Sequence, residues 1–506
     1  MAFAFWAASA CSTSNGPTDK LTRVGDLNSW HDDWSGLKVA VLGLGVSGFS
    51  VADTLAELGC QLTVFAERAD TEELDILDVL GVRHVTGAEA SGLPTELVAF
   101  APALLVTSPG VRPDSEIINW AKESGIPVWV DIDLAWRLRD KVGKPAEWIC
   151  VTGTNGKTTT VQLTTAILRE AGLRAESCGN IGVPILDCIR EPEGYDVLVV
   201  ELSSFQLHYL GEISPYASVV LNIDHDHLDW HGDFDAYRLA KGKVYQNTKI
   251  ACVYNVGDSQ TEQLVADAEV VEGARAIGFT VGAPGLSQIG FASDILCDRA
   301  YIEERKDQAQ ELATLEDIAQ IGVVTPHLLS NVAAASALAR SLGIPAESVR
   351  AGIRNFRLDR HRIEVVFEHN EITWIDDSKA TNPHAAAASL ASFDSIVWVV
   401  GGLLKGVDVS PLIAKYAHRL RGVVVIGKER ELVLEALRAE APNVPVIEIT
   451  SDNNEDVMHQ VASSALAFAQ AGDVVLLAPA AASMDQFKDY ADRGFRFAQA
   501  ARATGE

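Results

Sequence analysis

The sequence predicts three α/β domains in series, and three observations carry that expectation. The length of 506 residues exceeds the roughly 250 to 300 at which a single core stops growing. Short Val- and Ile-rich runs alternate with helical patterns, the rhythm of a parallel sheet. Two strand-turn-helix junctions stand out, "LKVAVLGLGVSG" from Leu37 and "EWICVTGTNGKTTT" from Glu147, and in each a glycine turn opens a helix.

The first domain is expected over 36–131. "LKVAVLG" reads as a strand, "VADTLAELG" as a helix with a closing glycine, and "CQLTVFAE", "VRHVTG", "ALLVTSPGV" and "IPVWVD" as further strands. The second, 132–357, takes strands from "WICVTG", "YDVLVVELSSF", "YASVVLN" and "IACVYN". Its later part, about Glu272 to Gln320, reads as a small antiparallel excursion before the Ala-rich helix "LLSNVAAASALARSLGI". The third, 358–506, begins near "NFRLDRHRIEVV" and supplies the strands "ITWIDDS", "SIVWVVGG", "GVVVIG", "PVIEIT" and "DVVLLAPA".

Composition narrows the function. With 48% apolar and 22% charged residues the chain can bury large cores, and a net charge of −28 disfavours nucleic acid and anionic membranes as partners. Seven cysteines, at 11, 60, 150, 178, 188, 252 and 297, form no C-x-x-C pair, which fits reduced thiols in a cytoplasmic enzyme. No uninterrupted apolar run reaches 18 residues, so no membrane insertion is expected. "MAFAFWAASAC" ends like a processing site but lacks a basic n-region. Residues 1–35 are therefore expected to be a disordered extension.

Gly43, Gly45 and Gly48 match the G-x-G-x-x-G fingerprint in its required setting, with Glu67 as the candidate ribose acid. The fingerprint reports backbone approach to a pyrophosphate, so an NAD-dependent dehydrogenase is one reading and a bare tight turn another. The second junction outlines a phosphate loop. Gly153, Thr154, Asn155 and Gly156 lead into Lys157, Thr158 and Thr159, a point charge and hydroxyls placed for phosphates and Mg2+. The usual Gly-x4-Gly-Lys spacing would put its first glycine at Val151, so the loop is short. Glu201, at the end of "DVLVVELSS", is the candidate metal carboxylate. "NIDHDHLDWH" holds His225, His227 and His231 among three aspartates. Zinc would need partners the sequence does not offer, whereas the oxygen-rich surroundings favour Mg2+ with one histidine. "LLAPAAASMDQFKDYADRGFRF" places Ser483 before a helix, where an anionic co-substrate could bind.

Taken together, "GTNGKTTT", "GNIGVP", "ELSSFQL", "NIDHDHLDWH", "YRLAKGK", "DDSKATNP" and "DQFKDYADRG" resemble the Mur ligase family, from about Gly36 to the C-terminus. "ELSSFQL" and "DSKATN" resemble the branch that adds D-glutamate. The resemblance implies Rossmann-like N- and C-terminal domains around a central P-loop ATPase-like domain with a mixed or parallel sheet. It implies an acid-amino-acid ligase of peptidoglycan synthesis that uses ATP and two Mg2+ ions to join D-glutamate to UDP-N-acetylmuramoyl-L-alanine through an acyl phosphate. A monomer acting on small molecules is expected.

By the same resemblance, Lys157 would hold the ATP phosphates with the loop Gly153–Thr159, while Thr158 and Glu201 would meet Mg2+. His227 and Lys241, the latter as a carbamate (N6-carboxylysine), would serve a second ion. Asn331 would contact adenine, Arg362 the phosphates, Asp377 the ribose, and Lys379 the transferred phosphoryl group. Thr381 and Lys405 would bind one glutamate carboxylate, Ser483 and the backbone near Tyr490 the other. Gly45, Val46, Ser47, Arg68, Gly110 and Asn180 would hold the UDP-sugar. The chain departs from the family at Ala66, where Asp is common, and at Leu403, where some members show Asp. A related ligase with another amino-acid specificity, or an ATP-dependent regulator without chemistry, are the alternatives.

Overall fold

The computed structural model describes residues 24–451 and 454–505. It contains three sheets that follow one another along the chain. The first is built from β1 (Lys38–Leu42), β2 (Gln61–Ala66), β3 (Arg83–Thr86), β4 (Leu104–Thr107) and β5 (Val128–Trp129), in the order β3-β2-β1-β4-β5 with every pair parallel. The turn after β1 shows why its glycines are there. A β-carbon on Gly43 would lie 2.4 Å from Ser108 Oγ, and one on Gly48 would lie 2.2 Å from the Gly43 carbonyl oxygen. Around Gly45 there is open space. The outer glycines thus permit close packing, and the middle one leaves room for a ligand to approach the backbone.

The second sheet has nine strands: β6 (Glu147–Thr152), β7 (Ala175–Gly179), β8 (Val197–Glu201), β9 (Ala217–Val220), β10 (Ala251–Asn255), β11 (Arg275–Phe279), β12 (Gln288–Ala292), β13 (Ile295–Asp298) and β14 (Gln310–Thr314). Their order is β14-β13-β12-β11-β10-β9-β6-β8-β7. The stretch expected as an antiparallel excursion is the far wing of this same sheet. β11 pairs parallel with both β10 and β12, and only β12-β13-β14 run antiparallel. The sequence reading passed over β7. Its residues, "AESCG", include no β-branched or aromatic side chain, and pairing with β8 rather than local propensity makes it a strand.

The third sheet contains β15 (Glu364–His369), β16 (Ile372–Asp376), β17 (Ile396–Gly401), β18 (Leu420–Ile426), β19 (Val446–Glu448) and β20 (Val474–Leu477), ordered β15-β16-β20-β17-β18-β19. Only β15 is antiparallel to its neighbour. Two apolar clusters cover its faces, while a single continuous cluster joins the first sheet to one face of the second.

The expected disordered extension is corrected over residues 24–35. Val24, Leu27 and Trp34 are buried in that shared core. The segment is also tied to the chain ahead of β6: Asp140 accepts hydrogen bonds from Ser29 Oγ at 2.5 Å and Trp30 N at 2.8 Å, and Arg137 donates to the Leu27 carbonyl at 2.9 Å. Residues 1–23 lie outside the described residues. Among the described residues no helix is long and apolar enough to cross a membrane.

Candidate active site

β6 ends in the short phosphate loop, and the helix Lys157–Glu170 starts from Gly156, which sits at φ +84°. A β-carbon there would lie 2.3 Å from Asn331 Oδ1. Gly156→Ala should therefore strain the backbone and displace Asn331 together. Loss of nucleotide binding of at least about tenfold is expected, from the roughly 1–2 kcal/mol of left-handed backbone cost plus the clash; nucleotide titration checks it.

Asn222 pins the loop, accepting from Asn155 N at 2.8 Å and donating to the Asn155 carbonyl at 3.1 Å. Thr154 Oγ1 shares a 2.8 Å hydrogen bond with Tyr237 OH. Two lysines donate to one carbonyl: Lys157 Nζ to Gly153 O at 2.9 Å, and Lys241 Nζ to the same oxygen at 2.8 Å. Lys241 is only 2% exposed. Burial, and after it the charge of Lys157, holds its ammonium well below the usual lysine range. Burial lowers Lys157 as well, against the pull of Glu201 and Asp226.

Glu201 closes β8 and is 2% exposed. Its Oε1 accepts from Asn180 Nδ2 at 3.2 Å, and its Oε2 is buried with no hydrogen-bond partner. An orphaned carboxylate oxygen beside a phosphate loop, with the Thr158 hydroxyl at the start of the next helix, fits a hard divalent cation such as Mg2+. His227 is in the left-handed conformation at φ +52° and packs edge-on against Phe205 at 4.7 Å. Burial lowers its pKa, so the imidazole is neutral and able to ligate.

The other histidines of that run do not join it. His225 stacks on Phe234 at 4.4 Å. His231 meets Ser204 Oγ at 3.0 Å, and burial pushes its pKa down to about 4.

From the third domain, Arg362, Asp377, Lys379 and Tyr490 close a cavity of about 360 Å³ over the phosphate loop, with Asn180, Glu201, His227 and Asn331 also in its wall. Arg362 Nε is buried without a partner, a donor left for an anionic ligand. Asp377 accepts from Ser389 Oγ and from Ile363 N. Burial raises its pKa to about 7. Lys379 lies 5.3 Å from the Tyr490 ring centroid, and burial with Arg362 nearby lowers it to about 8.

If Asp377 must be ionised to hold a ribose and Lys379 protonated to hold a phosphate, kcat/KM for ATP should fall as pH drops through about 7 and as it rises through about 8. Asp377→Asn should remove the acid limb from that profile.

A second cavity, of about 770 Å³, adjoins the first and shares Asp226, His227, Thr381 and Asn382 with it. Thr381 and Lys405 both line it, together with Lys415 and His384. Ser483 lines neither cavity. It is 4% exposed, and its carbonyl accepts the N–H groups of Gln486 and Phe487. Tyr490 faces the nucleotide side instead, where its ring sits near Lys379.

In the first domain Val46 is 70% exposed beside the open Gly45. Ser47 lines a small cleft with the buried Asp131, to which Gln206 Nε2 donates at 3.2 Å. The Gly110 carbonyl accepts from Trp230 Nε1 at 3.4 Å. Arg68 and Glu67 are exposed at the end of β2. The sequence reading missed Asp131, Gln206 and His384 as site residues. Gln206 stood inside "ELSSFQL" and His384 just after "DDSKATNP", but only folding brings their partners to them.

A phosphate loop facing a second α/β domain across two connected cavities, one able to hold a nucleotide and the other lined by lysines, defines an ATP-dependent ligase. Family comparison agrees. Residues 37–130 match the Mur ligase MurD-like N-terminal domain, 151–339 the Mur ligase middle domain, and 361–481 the Mur ligase glutamate ligase domain. The chain belongs to the Mur ligase family.

It is 55% identical over 486 residues to the UDP-N-acetylmuramoylalanine--D-glutamate ligase of Leifsonia xyli subsp. xyli, covering 94% of each chain. It is 50% identical to the enzyme of that name from Streptomyces avermitilis, covering 94% of this chain and 99% of that one. Among solved structures it shares the fold of the UDP-N-acetylmuramate-alanine ligase MurC from Thermotoga maritima, with a TM-score of 0.56 and 19% identity over 92% of this chain and 100% of that one. It also shares the fold of the MurF ligase from Thermotoga maritima in complex with ADP, with a TM-score of 0.52 and 17% identity over 96% and 98%.

Proposed function

We propose that this chain joins D-glutamate to UDP-N-acetylmuramoyl-L-alanine, with ATP cleaved to ADP and phosphate. The observation that carries the reading is the shared wall of the two cavities, where His227 and Thr381 stand between the phosphate loop and the Lys405 pocket. A γ-phosphate in the first cavity and an incoming amine in the second could meet at that wall. The names of the most similar relatives supply the substrates.

In this reading the alanyl carboxylate attacks the γ-phosphate, and the amine of D-glutamate then displaces phosphate from the acyl phosphate through a tetrahedral intermediate. A carboxylate is a poor electrophile until its oxygen is carried off as phosphate, and bringing anions together requires fixed cations. Lys157, Arg362 and Lys379 supply them from two domains. Asn331 and Asp377 orient adenosine, and Thr381 with Lys405 orients the amino acid. Val46, Ser47, Arg68 and Gly110 hold the UDP-sugar from the first domain around the open Gly45, and Asn180 meets it from the wall of the nucleotide cavity, so the first glycine turn serves uridine diphosphate rather than NAD.

Thr158, Glu201 and His227 would hold Mg2+, which when bound neutralises charge on the phosphates. Two ions are proposed, with Lys241 as the carbamate that serves the second. Its depressed pKa keeps the amine free to add CO2, and the product is a carboxylate at the same point. A monomer is proposed, with the phosphate loop and both cavities built from residues of a single chain.

Phosphate release from ATP with Mg2+ and UDP-N-acetylmuramoyl-L-alanine should require D-glutamate and give a product heavier by one glutamyl residue. Equal release with L-glutamate, or with another amino acid in its place, would keep the ligase chemistry but overturn the acceptor assignment.

A further inference from the structure

The proposed reaction needs the two cavities held in register, and one side chain in the wall of the second reaches the phosphate loop under the first. His384 is the second residue of the helix Pro383–Leu390 and lines the Lys405 cavity, with its side chain 33% exposed. Both ring nitrogens reach out of the third domain. Nδ1 lies 2.6 Å from Asn155 Nδ2 in the phosphate loop. Nε2 lies 3.2 Å from Asp224 Oδ2, three residues before His227. An amide nitrogen donates only, so with that atom facing the ring Nδ1 accepts, while Nε2 stands beside the Asp224 carboxylate.

Local structure does not need these contacts. The helix is already capped by Asn382, whose Oδ1 accepts from Ala385 N at 2.8 Å. The Asn155 backbone is already clamped by Asn222, which leaves its side chain as the arm that reaches across.

Resting on the ligase reading above, we propose that His384 is a positioning residue that registers the third domain on the phosphate loop, so that nucleotide in the loop and the amine in the Lys405 cavity are aligned with the help of one side chain. Nδ1 fixes the domain to the loop that cradles the phosphates, and Nε2 fixes it to the loop that carries His227. The alignment matters because a displacement of about 1 Å between reacting groups costs on the order of 10²-fold in rate.

The test compares three variants of the full chain. His384→Phe keeps a ring without hydrogen bonds, His384→Asn places an amide near the Nδ1 position, and His384→Gln places one near Nε2. For the Phe variant, kcat/KM for D-glutamate should fall about tenfold to a hundredfold. KM for the UDP-sugar should stay unchanged, and more phosphate should be released per amide formed, because acyl phosphate is lost to water when the amine is misaligned. The Asn and Gln variants should each recover part of the loss, which a contact that only packs the domains would not show. Three variants that keep the parent kcat/KM and the parent ratio of amide to phosphate would overturn the proposal.

Small-angle scattering with Mg-ATP alone gives a reading that survives failure of the ligase assignment. The parent should compact on nucleotide, and the Phe variant should compact less. Identical responses would overturn the registering role even if the parent proved to ligate some other pair of substrates.

Discussion

Lys241→Met should lower amide formation by on the order of 10³-fold while leaving the fold at least as stable as the parent. The two halves have separate causes. Lys241 is 2% exposed and has no carboxylate among its hydrogen-bond partners; its Nζ donates to the Gly153 carbonyl at 2.8 Å and reaches Thr152 Oγ1 at 3.4 Å. Burial and the neighbouring Lys157 disfavour its charged form, so the fold carries it at a cost that an apolar chain of similar length removes. The Gly153 carbonyl is not orphaned by the change, because Lys157 Nζ still donates to it at 2.9 Å. A group kept where it destabilises is expected to serve the reaction. Thermal unfolding of the variant alongside its turnover reads both halves, and a variant that ligates at the parent rate would remove Lys241 from the mechanism. Depleting dissolved CO2 should slow the parent and leave the variant where it is, since only the parent has an amine to carboxylate.

Lys157→Ala should cost about 10² to 10³ in kcat/KM for ATP with little change in affinity for the UDP-sugar. Its ammonium folds back onto its own loop, donating to the Gly153 and Thr154 carbonyls, both at 2.9 Å. It is thus held over the point where the phosphates would lie, at the start of the helix Lys157–Glu170, whose free N–H groups and dipole favour negative charge. Arginine should not restore activity. A guanidinium is a rigid planar fork, and this position is filled by a compact charge on a flexible stem, already crowded by Lys241 on the same carbonyl. Calorimetric titration with ATP, and separately with the UDP-sugar, separates the two affinities; an unaltered ATP affinity would move the phosphate site elsewhere.

The loop was legible because its chemistry is local. Gly156, Lys157 and Thr158 are consecutive, and the left-handed turn, the charge and the hydroxyl need no distant residue to be recognised. The glycines of the first turn were legible for the same reason, although spacing alone could not say whether they face NAD or uridine diphosphate. Ser483 shows the limit. A small polar residue before a helix suggests an anion site, yet the chain around Ser483 turns its carbonyl toward Gln486 and Phe487 and leaves it away from both cavities. The strand β7 was passed over and the parallel pairing of β11 went unread because both come from strand pairing rather than from propensity, whereas the antiparallel run β12-β13-β14 was expected.

By itself the sequence determined the α/β rhythm, the three successive sheets, the short phosphate loop and the family to which the chain belongs, because each depends on residues within a few positions of one another. Tertiary structure alone decided which groups work together. It left Glu201 Oε2 without a partner, put Lys241 and Lys157 on one carbonyl, raised Asp377 and lowered Lys379 toward neutrality, and carried His384 to Asn155, 229 residues away. Burial and electrostatic coupling depend on what surrounds a group in space, and that environment exists only once the three domains have folded against one another.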